Sequence, residues 1–395
     1  MMLAQNASNR ATDMPDAGEI KMFAKARQQE HQREMTARFA LGFTTDKPFA
    51  ERLVWFWSNH FTVSAMNGGA ASLVGAFERE AIRPHITGTF EDMLLATTHH
   101  PAMLLYLNNA QSIGPDSIAG RRTGKGINEN LGRELMELHT LGVDGGYTQA
   151  DVIAMAKILT GWSIDRQGGG ETGFRFYPPR HEPGNIVLRG KTYADNGEAQ
   201  GIAAIRDLAR DPATARHIAK KFAVHFIADN PPSTSIALLE KSFRDTGGDL
   251  KALARTAIED PAAWKPGNGK MRSPVEYTCA SMRMLGWPHG GDQEKQVKGV
   301  MAATRMMGEF PFAAPSPKGW PDISAAWSGP DAMLNRIEWA KELAARLPQN
   351  VNAQQLADTG LGPLVQPATR AAMNGAATPN DAVALLLSSP EFQRR

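Results

Sequence analysis

The sequence predicts a mainly α fold: a single large multi-helix domain, arranged as a bundle or a toroid, with long loops and a small β-hairpin excursion near residues 174 to 193. Three observations predict this fold. Apolar residues recur at helical spacing through most of the chain. Helix-start signals, such as Asp46 followed by Pro48, precede several of these runs. No similarity recurs at a fixed period, which argues against a solenoid of repeats.

The predicted elements divide the chain into a polar N-terminal leader and helix over residues 1–44 and a single helical domain over residues 45–395. Two short helices are expected on either side of Pro101, and a glycine-rich loop over residues 111–128. A helix is predicted from Thr148 to Trp162. Later helices are predicted over residues 198–210, 212–228 and 236–259. The runs FRFY and IVLRGKTY predict the hairpin, and a long loop carrying two tryptophans is expected over residues 308–330.

The composition is that of an ordinary globular protein, with 42% hydrophobic and 21% charged residues. The 43 basic residues against 41 acidic ones give a net charge of +2, which offers no overall field to attract nucleic acid. Cys279 is the only cysteine, so neither an intrachain disulfide nor a cysteine zinc site is expected.

The first residues carry neither the charged start nor the apolar run of a signal peptide. No stretch approaches the roughly 20 apolar residues that span a bilayer. We therefore expect a soluble protein without a membrane span, either cytoplasmic or exported with its signal removed. The composition leaves the oligomeric state open.

The segment NENLGRELMELHTLGVDGGYTQADV, residues 128 to 152, predicts a helix, a tight turn and a second helix start. At about 100° per residue, Leu131, Leu135 and Leu138 form a narrow apolar stripe that is expected to pack. Thr148 and Asp151 have the spacing of a capping box, which is a sufficient structural explanation for Asp151.

Glu134 and Glu137 lie on one flank of this helix, where two carboxylates three residues apart repel each other. They could form a solvated acidic face, or they could act as general acid and base if their surroundings separate their pKa values. The remaining polar residues of the helix are candidates for substrate binding: Asn128, Asn130, Arg133 and His139.

WFWSNHF, residues 55 to 61, places Trp57 and His60 on one helical face beside Asn59. A histidine next to aromatic residues is often a hydrogen-bonded core residue. The indole could equally form a wall on which a pyranose ring stacks, as could Trp162 and Trp320 further along the chain. The structural alternative is that these tryptophans attach long loops to the helical body.

RHEP, residues 180 to 183, holds His181 and Glu182 between two prolines that restrict the backbone. Functional groups are often placed on such loops. His181 could act as a base, but no HExxH or comparable spacing indicates a metal, and none is predicted. The dinucleotide, P-loop and GxSxG motifs do not occur, so we expect no cofactor.

The blocks FWSNHF, HHPAMLLYLNN, NENLGRELMELHTLGVDGGYTQADV with TGW, RHEPGNIVLRGKTY, GEFPFAAPSPKGWPD and LLLSSPEFQ together resemble a large bacterial family known as domain of unknown function 1800. The resemblance runs in order from about residue 45 to residue 395. It implies an exported protein, because members are generally predicted to be exported, and it makes one pocket shared by these blocks more plausible. It implies no activity.

We expect a hydrolase or lyase that acts on a carbohydrate or another polar substrate, by acid and base chemistry of the type seen in glycosidases. The expected catalytic residues are the pair Glu134 and Glu137, with His181 as assisting base and Glu182 as a possible partner acid. The alternative is a non-enzymatic binding or assembly protein that uses the same polar helix and aromatic loops. The enzyme predicts that these residues converge on one concave pocket, whereas the alternative predicts that they are buried and mutually satisfied, or spread over a flat surface.

Overall fold

Helices make up most of the residues that the computed structural model describes, which are 17–165, 173–265, 269–288 and 292–395. The predicted mainly α class is therefore confirmed. The first 16 residues of the predicted leader lie outside the described residues. Within those ranges, no helix combines the length and the apolar character that crossing a bilayer requires.

The α-helices are numbered here in chain order over the described ranges. They are α1 (Ala17–Thr44), α2 (Pro48–His60), α3 (Val74–Phe77), α4 (Phe90–His99), α5 (Pro101–Tyr106), α6 (Ile118–Thr123), α7 (Asn130–Glu134), α8 (Gln149–Ile158), α9 (Glu198–Arg210), α10 (Pro212–Phe226), α11 (Ser233–Asp245), α12 (Leu250–Glu259), α13 (Pro274–Met284), α14 (Gln293–Met306), α15 (Pro330–Ala344), α16 (Ala353–Gly360), α17 (Pro367–Asn374) and α18 (Pro379–Ser388). Short 3₁₀ and π-helical turns join several of them.

Four short strands form two antiparallel pairs, β1 (Trp162–Ile164) with β2 (Phe174–Phe176) and β3 (Ile186–Leu188) with β4 (Lys191–Tyr193). The predicted β excursion is confirmed, and it begins one strand earlier than expected. The predicted helix ending at Trp162 was too long. It stops at Ile158, and Gly161, with φ of +85°, turns the chain into β1.

Two other sequence predictions were wrong in detail. The single helix expected over residues 236–259 is divided into α11 and α12 by Gly247 and Gly248, whose φ values of +66° and +85° do not continue a helix. The glycine-rich loop over residues 111–128 contains α6, which Ser117 caps by accepting the N–H of Gly120 at 3.0 Å.

The apolar side chains form two cores. The first contains residues from α2 to the end of α12 and the turn after it, including the buried hairpin residues Ile186, Leu188 and Tyr193. The second joins the C-terminal half of α1 to helices α13–α18. Trp55 and Phe312 pack against both cores, so they mark the boundary between them. The proposed division of the chain at residue 44 stays a prediction.

Candidate functional site

The predicted helix of residues 128 to 139 begins as α7 and continues as a π-helix over Leu135–His139. Leu131 and Leu135 are fully buried, as the apolar stripe predicts. Because a π-helix has hydrogen bonds from residue i to i+5, the wider turn rotates the following residues away from the positions of an ideal α-helix. Leu138 is therefore only partly buried, whereas His139 is in the core.

Glu134 and Glu137 face tyrosines rather than histidines. Burial and the charge of Glu137 raise the pKa of Glu134. After burial, Glu137 contributes to raising the pKa of Tyr147, and Glu134 contributes to raising the pKa of Tyr106 to about 12. Neither glutamate has a cation within salt-bridge distance among the described residues. No hydrogen bond or ion pair joins them to His181.

The other polar residues of this segment organise its ends. The side-chain oxygen of Asn128 accepts the backbone N–H of Asn130 at 3.0 Å, which forms a turn before α7. Arg133 donates to Glu129 and Gln149, both at 2.9 Å.

The predicted capping box at the start of α8 is confirmed. The Thr148 hydroxyl accepts the N–H of Asp151 at 3.2 Å, and the Asp151 carboxylate accepts the N–H of Thr148 at 2.8 Å. The structural explanation of Asp151 is therefore sufficient.

His60 and His139 are buried, and they lie in a cluster with the partly buried His217 and Lys221. The His60 ring centroid lies 6.1 Å from that of His139 and 6.2 Å from that of His217. Burial, together with the charge of Lys221, lowers the pKa of His139 to about 3 and that of His217 to about 4. These imidazoles are neutral at pH 7. No group of three or more His, Cys, Asp or Glu side chains in the described ranges is arranged to hold a metal ion.

Trp57 and Trp162 have 0% of their surface exposed, and both pack against protein side chains. The Trp162 ring stacks on His99 with a centroid distance of 4.2 Å. The Trp57 ring packs edge to face against the Phe56 ring, with a distance of 4.8 Å between the ring centroids. Of the three predicted stacking tryptophans, only Trp320 lines a cavity described below.

His181 and Glu182 attach the β excursion to the end of α8. His181 Nδ1 lies 2.9 Å from the Thr160 carbonyl oxygen. The buried Glu182 carboxylate accepts from Lys157 Nζ at 2.8 Å and from the Asp116 N–H at 3.0 Å. Both residues are buried, and their partners lie at the end of α8 and in the loop before α6.

A cavity with several charged side chains in its wall lies where the two cores meet, and Trp55 and Phe312 also belong to this wall. It has a volume of about 100 Å³. Its wall includes Asn59, His225, Lys270, Glu276, Glu309, Trp320, Asp322, Trp327 and Arg395. We call this the central cavity. Of the residues singled out from the sequence as site candidates, Asn59 and Trp320 line it.

Asn59 fixes the loop that carries Trp320. Its side-chain amide donates to the Trp320 carbonyl oxygen at 3.0 Å, and its oxygen accepts the Trp320 N–H at 2.8 Å. A Cβ atom on the preceding Gly319 would lie 2.5 Å from the Asn59 oxygen, so this approach needs glycine. The Trp320 and Trp327 rings then lie 6.2 Å apart in the cavity wall.

A histidine–carboxylate pair lies in the same wall. His225 Nδ1 is 2.7 Å from Asp322 Oδ2, and Lys270 Nζ is 3.1 Å from Asp322 Oδ1. Burial acts to raise the pKa of Asp322, but His225 and Lys270 outweigh it and hold that pKa far below its usual value. The ionised carboxylate accepts the Nδ1 proton, so Nε2 of a neutral His225 is left as an acceptor, and Arg395 Nη2 lies 3.5 Å from it.

Two glutamates meet at the N-terminus of α13. Glu276 accepts the Ser273 N–H at 3.0 Å and pairs with Arg395 Nε at 2.9 Å. Glu309 accepts the Val275 N–H at 2.9 Å. Burial, with a contribution from Glu276, raises the pKa of Glu309 to about 7. Burial also acts to raise the pKa of Glu276, but Arg395 and other nearby cations hold it below its usual value.

Sequence reasoning missed most of this cavity, although two signals were present. His217, Lys221 and His225 recur every four residues in HIAKKFAVH and place a polar stripe on α10. Ser273 and Glu276 have the capping-box spacing in SPVE, which marks a helix start that carries an acid. Burial lowers the pKa of Lys221 to about 8.

Comparison with known proteins gives one match. The sequence profile of the family described as "Protein of unknown function (DUF1800)" matches residues 2–394, which extends the resemblance through the N-terminal helix. No curated protein and no solved structure matches.

Proposed function

The chain belongs to the DUF1800 family, and because that description carries no activity, we propose from the residues of the central cavity that the protein is a hydrolase or lyase acting on carbohydrate. The observation that carries this proposal is the pair of carboxyl groups in one wall, Glu309 with a pKa of about 7 and Glu276 with a lowered pKa. Two acids whose pKa values are pushed apart are suited to different roles in acid–base catalysis.

Glu309 is the proposed general acid. Near pH 7 a carboxyl group with a pKa of about 7 is protonated in a large fraction of molecules. It can therefore donate its proton to the oxygen atom of the leaving group as a glycosidic C–O bond breaks. Glu276 stays ionised beside Arg395, so it supplies negative charge near a developing positive charge rather than a proton.

His225 is the proposed assisting base, in place of His181. Its Nδ1 proton is held by Asp322, and the attacking water displaces Arg395 Nη2, which lies 3.5 Å from Nε2. Nε2 then accepts a proton from this water as the water oxygen bonds the sugar carbon. The proton gained by His225 balances the proton given by Glu309. This pair therefore has the geometry of a base held in place by a carboxylate, whereas His181 is bonded to a backbone oxygen.

Trp320 and Trp327 are the proposed stacking surfaces. Indole rings pack on the apolar face of a pyranose, and both rings belong to the wall that holds the two glutamates. Asn59 positions one of them, so its proposed role is indirect.

A panel of polysaccharides and oligosaccharides, screened for release of reducing ends or unsaturated products, tests this proposal. We expect activity in the wild type and a loss of at least about a hundredfold in Glu309→Gln, the magnitude typical of removing a general acid. Glu259→Gln, an exposed glutamate of α12, is the matched control and should retain activity. Glu137→Gln tests the residue predicted from the α7 segment in the same assay.

A second candidate is a non-enzymatic binding or assembly protein. The observation that favours it is the burial and local bonding of several residues predicted as catalytic or substrate-binding, such as His60, His139 and Glu182. Equal inactivity of the wild type and Glu309→Gln on every substrate would favour this candidate.

A further inference from the structure

A second cavity lies behind the wall of the central cavity. It has a volume of about 370 Å³, and His225, Lys270 and Arg395 line both cavities. We call it the side cavity. Its wall includes Phe49, Arg52, Phe226, Trp264, Lys270 and Arg395. Its size is suited to one six-membered ring with its substituents.

Within the described ranges, every charged residue that lines the side cavity is basic. Its charged lining residues in the described ranges are Arg52, Lys270 and Arg395, and no acid lines it. Lys270 and Arg395 are paired on the side of the central cavity, with Asp322 and Glu276 respectively. Arg52 differs from both, because its ion-pair contact within the described ranges is a longer one, 3.9 Å from Nε to Glu276 Oε1.

Arg52 donates no hydrogen bond to any residue that the structure describes, and its Nε is buried without a partner. The nearest acid, Glu276, lies 3.9 Å from Nε through the same oxygen that Arg395 contacts at 2.9 Å. Burial and the charge of Arg395 lower the pKa of Arg52 to about 10. The Nε atom is buried, whereas the Arg52 side chain as a whole is 31% exposed. Its unused donors, with a second cation beside them, are therefore accessible to an anion.

The remaining wall is apolar and aromatic. Phe49 and Phe226 lie 5.5 Å apart between ring centroids, and the Arg52 guanidinium lies 5.3 Å from the Phe226 ring. Trp264, at 71% exposure, lies at the rim with its N–H bonded to the Ile258 carbonyl oxygen. A small inorganic ion would leave these ring faces without contacts, whereas an anionic group on a ring with an apolar face would cover them.

We propose that the side cavity binds the anionic group of a ring-shaped, partly apolar molecule, with Arg52 as the counter-charge and the aromatic residues against its ring. Carboxylate and sulfate groups share this chemistry. Resting on the proposed function, the inference further specifies the substrate as an acidic saccharide whose charged ring lies against the wall that contains His225.

Titration calorimetry on the full chain, with four probes, tests this proposal. The probes are cyclohexanecarboxylate, glucuronate, glucose 6-sulfate and uncharged glucose. We expect at least one anionic probe to bind more tightly than glucose, and its Kd to rise at least about tenfold in Arg52→Gln, because a charge-assisted bond is lost. Binding by glucuronate alone among the sugars identifies carboxylate, and binding by glucose 6-sulfate alone identifies sulfate.

Two further variants keep the result interpretable. Arg255→Gln, an exposed arginine on α12 outside the cavity wall, is the matched control and should bind as the wild type does. Trp264→Ala removes an exposed rim residue and should weaken the same probe without unfolding the protein. The proposal is overturned if no anionic probe binds, if glucose binds equally well, or if Arg52→Gln leaves the Kd unchanged.

This experiment separates the two proposals because binding is measured without turnover. If cyclohexanecarboxylate binds through Arg52 and neither acidic sugar does, the anion site stands and the carbohydrate substrate is wrong. If Glu309-dependent activity is found while Arg52→Gln changes neither binding nor activity, the proposed function stands and the anion site is wrong.

Discussion

His225 Nδ1 lies 2.7 Å from Asp322 Oδ2, and this contact joins α10 of the first core to the loop before α15. The same carboxylate holds Lys270, which is only 4% exposed. Asp322 therefore contacts two largely buried basic groups, and Asp229 also pairs with Lys270, at 3.2 Å. Its removal affects the charge of the cavity wall and the packing of the Trp320 loop together.

Asp322→Asn should destabilise the protein by about 2 kcal/mol at pH 7, because His225 loses its carboxylate partner and Lys270 keeps only Asp229, at 3.2 Å. The folded-state pKa of Asp322 is depressed, so its stabilising contribution is present above the unfolded value of 3.8 and is lost as the pH falls below it. Urea unfolding at several pH values measures this. The difference in the free energy of unfolding between Asp322→Asn and the wild type should become smaller below about pH 4.

Asp144→Asn, at an exposed turn, is the control for this series and should unfold as the wild type does. Equal stability of Asp322→Asn and wild type at pH 7 would contradict the role assigned to the carboxylate.

The raised pKa of Glu309 predicts that this residue makes the protein less stable as the pH rises, which is opposite to the effect of Asp322. Its pKa is raised from 4.5 to about 7, so the contribution of the protonated carboxyl is fully present below pH 4.5 and is lost as the pH rises through 7. Glu309→Gln, neutral at every pH, should match the wild type near pH 4.5 and exceed its stability above pH 8, by about 3 kcal/mol. Parallel stability curves for the two proteins would show that the pKa is not raised.

Local signals in the sequence predicted local structure well. The predicted helix over residues 198–210 coincides with α9, and the capping box of Thr148 and Asp151 forms as its spacing indicates. Both depend on residues within a few positions of each other, which the order of the chain displays directly. The predicted helix over residues 236–259 failed because the glycine pair at 247 and 248 was not weighed as a helix stop.

The candidate site could not be found in this way, because its parts are distant in sequence. Asn59, His225, Glu309 and Arg395 meet only when the two cores pack together. The raised pKa of Glu309 arises mainly from burial, which no local pattern reports. The polar residues of the α7 segment could be singled out from the sequence because they are close to one another along the chain.

Glu182 should act on stability and not on ligand binding. Glu182→Gln loses the ion pair with Lys157 and should cost about 2 kcal/mol, since the lysine is partly exposed and can be resolvated. A double-mutant cycle with Lys157→Met measures the pair itself, and a coupling energy of about 1 kcal/mol or more is expected. If the effects of the two substitutions are additive, the ion pair between Glu182 and Lys157 contributes no stability of its own. Loss of activity in Glu182→Gln at unchanged stability would instead support the catalytic role predicted from the sequence.

Gly132 allows α7 to approach α8 closely. A Cβ atom there would lie 2.9 Å from the backbone nitrogen of Ala156, so one of the two helices must move to accommodate it. Gly132→Ala should therefore destabilise the protein by about 1–2 kcal/mol, although alanine favours a helix over glycine by about 1 kcal/mol. Gly126→Ala is the matched control, because a Cβ atom there meets no atom within 4 Å, and it should be neutral. Denaturation midpoints measured side by side decide the matter: a stabilised Gly132→Ala would mean that the helices do not touch at this position.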